Sequence, residues 1–335
     1  MPSDRYDEVD RQLAHALQID GRVPFSLVAD VLGVSDKTIA RRYSRLRTLG
    51  AIRVIADCSI FTTGQSAWML RIRCSPASAE SVATALARRA DSSYIALTSG
   101  GADLVGVAQN FEDADTADLL GRIRATAGVE AVTAQRLLHG FASEPITFMA
   151  KHGPLTAAQV AALRAEPDTT ADGTTLGTEG VAPVVLTADD QCLLDALAVD
   201  ARRDADSLAA DTGWSASTVR RRIARLRADR VLRFGLELDW RMFGLNTRAA
   251  LWLSVSPTRL EAAGAELAAH PEITGASATT GPTNLYASAL VADEQALYRY
   301  LTGALAAVSG LTQIESAPLL RVVKLSRGAP GYSPP

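Results

Sequence analysis

The chain has 335 residues, 47% of them hydrophobic and 5% aromatic, and 34 Lys+Arg stand against 37 Asp+Glu for a net charge of −3. That length gives room for about two domains with real cores, and an Ala- and Leu-rich, aromatic-poor mix favours helices over an all-β sandwich. Three scattered cysteines (Cys58, Cys74, Cys192) exclude a disulfide scaffold or zinc ribbon, and the absence of a long apolar run points to a cytoplasmic protein, with neither metal nor cofactor expected.

In chain order, DEVDRQLAHALQI spaces Val9, Leu13, Ala16 and Leu17 along one helical face. FSLVADVLG gives a short second helix ended by Gly33, where a left-handed backbone is easy. Ser35 caps a third helix over 34–50, with Ile39, Tyr43, Leu46 and Leu49 at helical spacing, and AIRVI follows Gly50 as a strand or wing. A short helix, a turn and a longer helix is helix-turn-helix spacing. Next come an alternating strand (SAWMLRIRCS), an amphipathic helix, strands YIALTSG and DLVGVAQNF, a second helix and the strand VEAVTAQRLLHGF. This is the β-α-β-β-α-β order of a ferredoxin-like αβ-sandwich.

The chain then starts again. Residues 10–54 lie over 190–234 at a constant offset of 180, and 16 of these 45 positions are identical, enough to establish a duplication. Later the offset drifts to 181, where TSGGADL at 98–104 meets TTGPTNL at 279–285. The expected fold class is therefore α+β: a winged-type helix-turn-helix followed by a ferredoxin-like αβ-sandwich, the whole unit duplicated. The expected domains are 1–60 and 184–240 for the helix-turn-helix units and 61–150 and 241–327 for the sandwiches. A linker at 151–183 and a tail at 328–335 complete the chain, the acidic stretch EPDTTADGTTLGTEG reading as an exposed tether. Trp68, Leu70 and Ile72 share one strand face, as do Leu251, Leu253 and Val255, so sheet faces are expected to pair, within one chain or between two. Arg230 stands where the first copy has Gly50, so the exit from the second copy's third helix is expected to be built differently.

Charge separates the modules. Residues 35–55 carry a net +5 and residues 215–235 a net +6, leaving the remainder near −14. Arginines on the solvent side of the second helix of a helix-turn-helix reach phosphates and guanine edges. The candidate DNA-binding residues are Ser35, Asp36, Lys37, Thr38, Arg41, Arg42, Arg45 and Arg47 in copy one. In copy two they are Ser215, Ser217, Thr218, Arg220, Arg221, Arg222, Arg225 and Arg227. Arg45 and Arg47 suit backbone phosphate, whereas Arg42 and Arg222, beside core positions, leave room for structural salt bridges.

These residues carry a resemblance. DEVDRQLAHALQIDGR, LGVS, TIARRYSRLRTLGAI and SGGAD in copy one, with TGWSASTVRRRIARL and TTGPTN in copy two, resemble the Lrp/AsnC (feast/famine) family of transcription regulators in tandem form. The resemblance implies sequence-specific binding to double-stranded DNA, a cytoplasmic, nucleoid-associated protein, and a homodimer or higher homo-oligomer built through the sandwich domains. It also implies an amino acid or related small effector held by the glycine-rich turn of the sensing domain. Matching positions are Ser99, Gly100, Gly101 and Asp103, where glycines permit close approach and Asp103 accepts from an ammonium group; a tight β-turn explains the same residues. In copy two the positions are Gly281, Thr283 and Asn284, where Asn284 supplies no anion and Pro282 removes a donor. Two other functions fit parts of the chain: an architectural DNA-binding protein that senses nothing, and a tetrapyrrole decarboxylase resembling this family. The histidines are His15, His139, His152 and His270, and only His139 near Arg136 makes a tempting pair. No acid–base dyad, nucleophile elbow or phosphate loop can be assembled, so an enzyme is not expected.

Overall fold

Each recognition unit starts at a capped helix. The computed structural model of the chain describes residues 5–58, 60–63, 65–89, 91–98, 103–110, 116–142, 148–149, 151–164 and 184–325. Helix α1 (Glu8–Ile19) opens with a capping box in which Asp7 accepts from the Asp10 backbone and Asp10 accepts in return. Helices α2 (Phe25–Leu32) and α3 (Asp36–Thr48) follow, joined at Gly33 in the left-handed region, φ 67°. Strand β1 (Ile52–Cys58), a one-turn helix α4 (Ile60–Thr63) and strand β2 (Ser66–Cys74) lead into α5 (Ala79–Ala87), β3 (Ser92–Thr98), β4 (Asp103–Asn110), α6 (Thr116–Arg124) and β5 (Val129–Ala142). Helix α7 (Ala157–Leu163) sits in the stretch expected to be linker; Leu155 and Leu163 beside and within it are buried in the core of the recognition units. The remainder of the tether and the C-terminal tail lie outside the described residues.

Copy two repeats the plan with α8 (Ala188–Val199), α9 (Ala205–Thr212), α10 (Ala216–Ala228), β6 (Leu232–Leu238), β7 (Thr247–Val255), α11 (Leu260–Ala269), β8 (Ile273–Thr279), β9 (Leu285–Val291), α12 (Glu294–Thr302) and β10 (Leu311–Lys324). The two recognition units share one apolar core. Leu13, Leu17, Ile39 and Leu46 of the first are fully buried in the same cluster as Leu193, Leu197, Val219 and Leu226 of the second. Burial of each such side chain contributes about 1.5–3 kcal/mol. Antiparallel pairing of β1 with β6 runs through this core with Ile55 opposite Gly235, a residue facing its own counterpart at the 180 offset.

The expected pair of open ferredoxin-like sandwiches is not what forms. Among the described residues the other eight strands close into one barrel, in the order β10-β3-β4-β2-β5-β8-β9-β7 with β7 returning to β10. The cause is the length of β5 and β10, each 14 residues. The first half of β5 pairs with β2 of its own copy, and from Leu137 onward it pairs with β8 of the other. Strand β10 does the same with β7 and then, from Leu319, with β3. An open sheet would leave edge N–H and C=O groups unpaired, and closure across the copies removes those edges.

The expected face pairing is also corrected. Leu70 and Ile72 pack with α5 side chains (Val82, Ala83, Leu86) and Ile123 of α6, and Leu251, Leu253 and Val255 pack with Ala263 and Leu267 of α11. The opposite strand faces meet: Met69, Ala96, Val105, Ala250, Trp252, Tyr286 and Val322 form a separate cluster. Alternation of side chains along a strand means that only one of the two faces takes the helices.

The exit after α10 is not built differently either. Arg230 adopts φ 57° where Gly50 has φ 64°, and both close the same two backbone hydrogen bonds.

Candidate nucleic-acid interface

Helix α3 begins where Ser35 Oγ accepts from the Thr38 amide at 3.2 Å and meets Thr38 Oγ1 at 2.9 Å. Helix α10 begins the same way, with Ser215 Oγ accepting from the Thr218 amide at 3.1 Å and lying 2.8 Å from Ser217 Oγ. Ser35, Thr38, Ser215, Ser217 and Thr218 therefore fix the leading turns. Asp36, Lys37 and Arg41 of α3 are exposed there, as are Arg220 and Arg221 of α10. Among the described residues, Lys37, Arg41, Arg220 and Arg221 have no ion-pair or hydrogen-bond partner.

The other basic residues are engaged within the protein. Arg42 Nη1 donates to both Asp7 oxygens, at 2.7 and 2.8 Å, and to fully buried Asp10 at 2.8 Å. Arg45 pairs with the second oxygen of Asp10. Arg222 closes on buried Asp190 in copy two. Burial works against the Asp190 carboxylate, yet hydrogen bonds from Arg222 and Thr187 outweigh it and hold the group below its ordinary pKa. Arg225 pairs with Asp229 at 2.8 Å. Arg47 reaches Asp200 at 3.6 Å, and its counterpart Arg227 reaches Asp20 at 3.5 Å, so this pair ties one recognition unit to the other. A cleft of about 350 Å³ beside α3 is lined by Arg5, Asp7, Asp10, Arg41, Arg42 and Arg45. With both carboxylates covered by Arg42 and Arg45, the charge left for an incoming anion there is that of Arg5 and Arg41.

The expected effector positions divide. Ser99, Gly100 and Gly101 lie outside the described residues. Asp103 lies 3.6 Å from Arg71 and 3.5 Å from Arg73, and Arg71 in turn binds Glu315 at 2.5 Å and stacks 4.7 Å from the Trp252 ring centroid. In copy two, Gln135 Nε2 donates to the carbonyls of Thr280 and Thr283 and to Thr283 Oγ1, at 2.8–3.0 Å. Asn284 bonds both backbone groups of Val255 at 2.8 Å. The space beside Gly281 (φ 103°) is filled by Gln135, which a Cβ would meet at 2.8 Å. This second turn is closed by its own hydrogen bonds.

Four histidines take four environments. His15 is buried, accepts through Nδ1 from the Leu155 amide at 3.1 Å, and is pushed down to about 4 by desolvation, with Arg164 adding to the shift. His139 packs against Phe141 at 4.7 Å, while Arg136 turns to Ser66 and the Trp68 ring, so the tempting pair does not assemble. His270 Nδ1 lies 3.0 Å from the Tyr300 hydroxyl. His152 lines a second cavity of about 350 Å³ with Leu245, Glu272, Leu290, Arg299 and Tyr300. Sequence reasoning missed this cavity because its walls come from the expected linker and from four separate segments of copy two: Leu245, Pro271–Glu272, the end of β9, and α12. Beside it, burial pushes Lys151 down to about 8 as its Nζ donates to the carbonyls of His270 and Ile273. Among the described residues no three His, Cys, Asp or Glu side chains group to hold a metal, and no helix is long and apolar enough to cross a membrane.

Comparison with known proteins follows the same division. The AsnC-type helix-turn-helix domain matches residues 7–47 and again 186–227, and the Lrp/AsnC ligand binding domain matches residues 248–329. The chain belongs to the Lrp/AsnC family. It is a tandem member, with the helix-turn-helix present twice. No curated protein matches it.

Among solved structures, the siroheme decarboxylase NirDL with an iron-uroporphyrin III analogue is similar at 13% identity, covering 92% of this chain and 88% of that one, TM-score 0.60. A second NirDL structure matches at 15% identity, 96% and 94% coverage and TM-score 0.59. The transcriptional regulator NMB0573 of Neisseria meningitidis, in complex with L-Met, is 23% identical over 44% of this chain and 97% of its own, TM-score 0.39. The expectation that an enzyme is excluded is thereby overturned. A fold of this extent serves catalysis in NirDL, and this tandem Lrp/AsnC architecture is compatible with enzymes as well as regulators.

Proposed function

We propose that this protein is a sequence-specific double-stranded DNA-binding transcription regulator, acting on the nucleoid in the cytoplasm and modulated by an amino acid or related small metabolite. Its readers are residues 1–60 and 184–240, and its sensing units are 61–150 and 241–327. The observation that carries this reading is the exposure of Lys37, Arg41, Arg220 and Arg221 on the leading turns of α3 and α10, unpaired, in a chain whose remainder is acidic. Arg42 and Arg45 neutralise Asp7 and Asp10, and Arg222 neutralises Asp190, which leaves these four, with Asp36 beside Lys37, to meet phosphates and base edges. Ser35, Thr38, Ser215, Ser217 and Thr218 shape the turns that present them. Arg47, Arg225 and Arg227, more than a third exposed despite their ion pairs, serve the backbone.

Fluorescence anisotropy on duplexes selected by the full chain tests this. Arg41→Ala or Arg221→Ala weakens binding by about 1–3 kcal/mol if the arginine meets a base edge. Unchanged affinity in both variants, with folding intact, refutes the interface. For the effector, Ser99, Gly100, Gly101 and Asp103 are the proposed contacts, with Asp103 exchanging its arginines for the ligand's ammonium group. A double change at Gly101 and Asp103 should blunt the metabolite response and spare DNA binding.

A catalytic reading is favoured by one observation, the NirDL likeness over more than nine-tenths of the chain. In that reading the protein decarboxylates a tetrapyrrole. Titration of the full chain with an iron porphyrinoid, followed by its absorbance band and by release of carbon dioxide, decides for or against it.

A further inference from the structure

The contacts joining the two readers repeat themselves at an offset of 180. Arg22 donates to the carbonyls of Ala201 and Arg203 at 2.8 and 2.7 Å, and Arg202 donates to those of Gly21 and Val23 at 2.6 and 3.1 Å. Arg47 with Asp200 is answered by Arg227 with Asp20, and the β1–β6 register centres on Ile55 opposite Gly235. Together these define a local two-fold axis inside one chain.

In a homodimer such an axis makes both recognition helices identical, and the operator inherits that symmetry. Here the axis relates two different sequences. Asp36, Lys37, Ala40 and Arg41 on α3 occupy the positions of Ala216, Ser217, Arg220 and Arg221 on α10. All are exposed except Ala216, which is half-buried. Only the last position is shared. The first helix offers one acceptor, suited to a cytosine amino group, and cations at Lys37 and Arg41 for guanine. The second offers no acidic acceptor and places two adjacent guanidinium groups, Arg220 and Arg221, suited to purine-rich DNA with successive guanines.

We infer that a single chain reads an operator of two unlike half-sites, the first by α3 and the second by α10, held at fixed spacing by the Arg22–Arg202 clasp. This rests on the DNA-binding reading above. The ligand is a double-stranded element without internal palindromy, occupied by one chain.

In vitro selection from a random duplex library with the full chain tests it, with stoichiometry read by native mass spectrometry. The expected result is a motif of two different half-sites bound by one chain. The triple variant Asp36→Ala, Lys37→Ser, Ala40→Arg gives α3 the reading residues of α10. It should select a near-palindrome and lose roughly tenfold or more in affinity for the original motif, since mismatched contacts carry that order of cost. Circular dichroism of the variant verifies that these surface changes leave the fold intact. A palindrome selected by the unmodified chain, or two chains per operator, overturns the inference and leaves the DNA-binding reading standing. Enrichment of no duplex at all overturns both.

Discussion

Arg230 offers a measurement in which the backbone alone sets the sign. It sits at φ 57°, in the left-handed region, and Gly50 occupies the equivalent place at φ 64°. Both residues end a recognition helix with matching bonds. Gly50 and Ala51 donate to Arg47 and Leu46 at 3.0 and 2.8 Å, and Arg230 and Val231 donate to Arg227 and Leu226 at 2.9 Å each. A Cβ in this conformation costs about 1–2 kcal/mol. A glycine avoids that cost but gives the unfolded chain more freedom, worth about 0.5–1 kcal/mol. Arg230→Gly should therefore stabilise the readers by about 0.5–1 kcal/mol, and Gly50→Ala should destabilise them by a similar amount. Sterics do not confuse the comparison, because a Cβ at Gly50 meets nothing within 4 Å. The Arg230 side chain is exposed and makes no ion pair among the described residues. Calorimetry on the full chain should show the reader transition rising by about 1–3 °C in Arg230→Gly and falling by as much in Gly50→Ala. The double variant should return close to the starting value. A fall in Arg230→Gly comparable to that in Gly50→Ala would refute the strain argument.

Arg202→Ala removes charged donors from two carbonyls and a guanidinium lying 4.5 Å from the Phe25 ring centroid. It should cost about 2–4 kcal/mol in urea unfolding; a change below 0.5 kcal/mol would mean the clasp holds nothing. Arg222→Ala leaves buried Asp190 without its guanidinium and should cost about 3 kcal/mol, while its neighbour Arg221→Ala stays within about 0.5 kcal/mol in stability. Equal losses in the two would erase the division between folding and reading arginines. His15 titrates near 6.5 when unfolded and about 4 when folded, so the unfolded chain binds more protons between those values. Its contribution is complete above pH 6.5 and lost as pH falls toward 4, up to about 3 kcal/mol. A stability difference between the wild type and His15→Gln that stays flat from pH 7 to 4 would contradict this.

The duplicated plan, the caps at Ser35 and Ser215 and the turn glycines Gly33 and Gly213 were legible as sequence because each is a local rule. So were the basic residues on α3 and α10. That Arg42 and Arg222 would be tied into salt bridges was legible from their places beside core positions; the ion pairs of Arg45, Arg47 and Arg227 were not, because they depend on Asp10, Asp200 and Asp20, carboxylates outside their own helix and, for Arg47 and Arg227, in the other reader. Asp103 has the composition of an effector contact, yet only the fold shows that two arginines of β2 already hold it. The cavity at His152, Glu272 and Arg299 joins residues more than a hundred positions apart, and no spacing announces it.

Local propensity and periodicity, written twice, determined the helices, the strands and the recognition surface. Tertiary structure decided what the second halves of β5 and β10 pair with, since a strand edge is satisfied by whichever partner lies beside it. That choice turned two expected sandwiches into one barrel, and with the Arg22–Arg202 clasp it made a single chain its own two-fold partner. It also decided the surroundings of each arginine, because a guanidinium beside a buried carboxylate is held by the fold and one without such a neighbour stays exposed and unpaired.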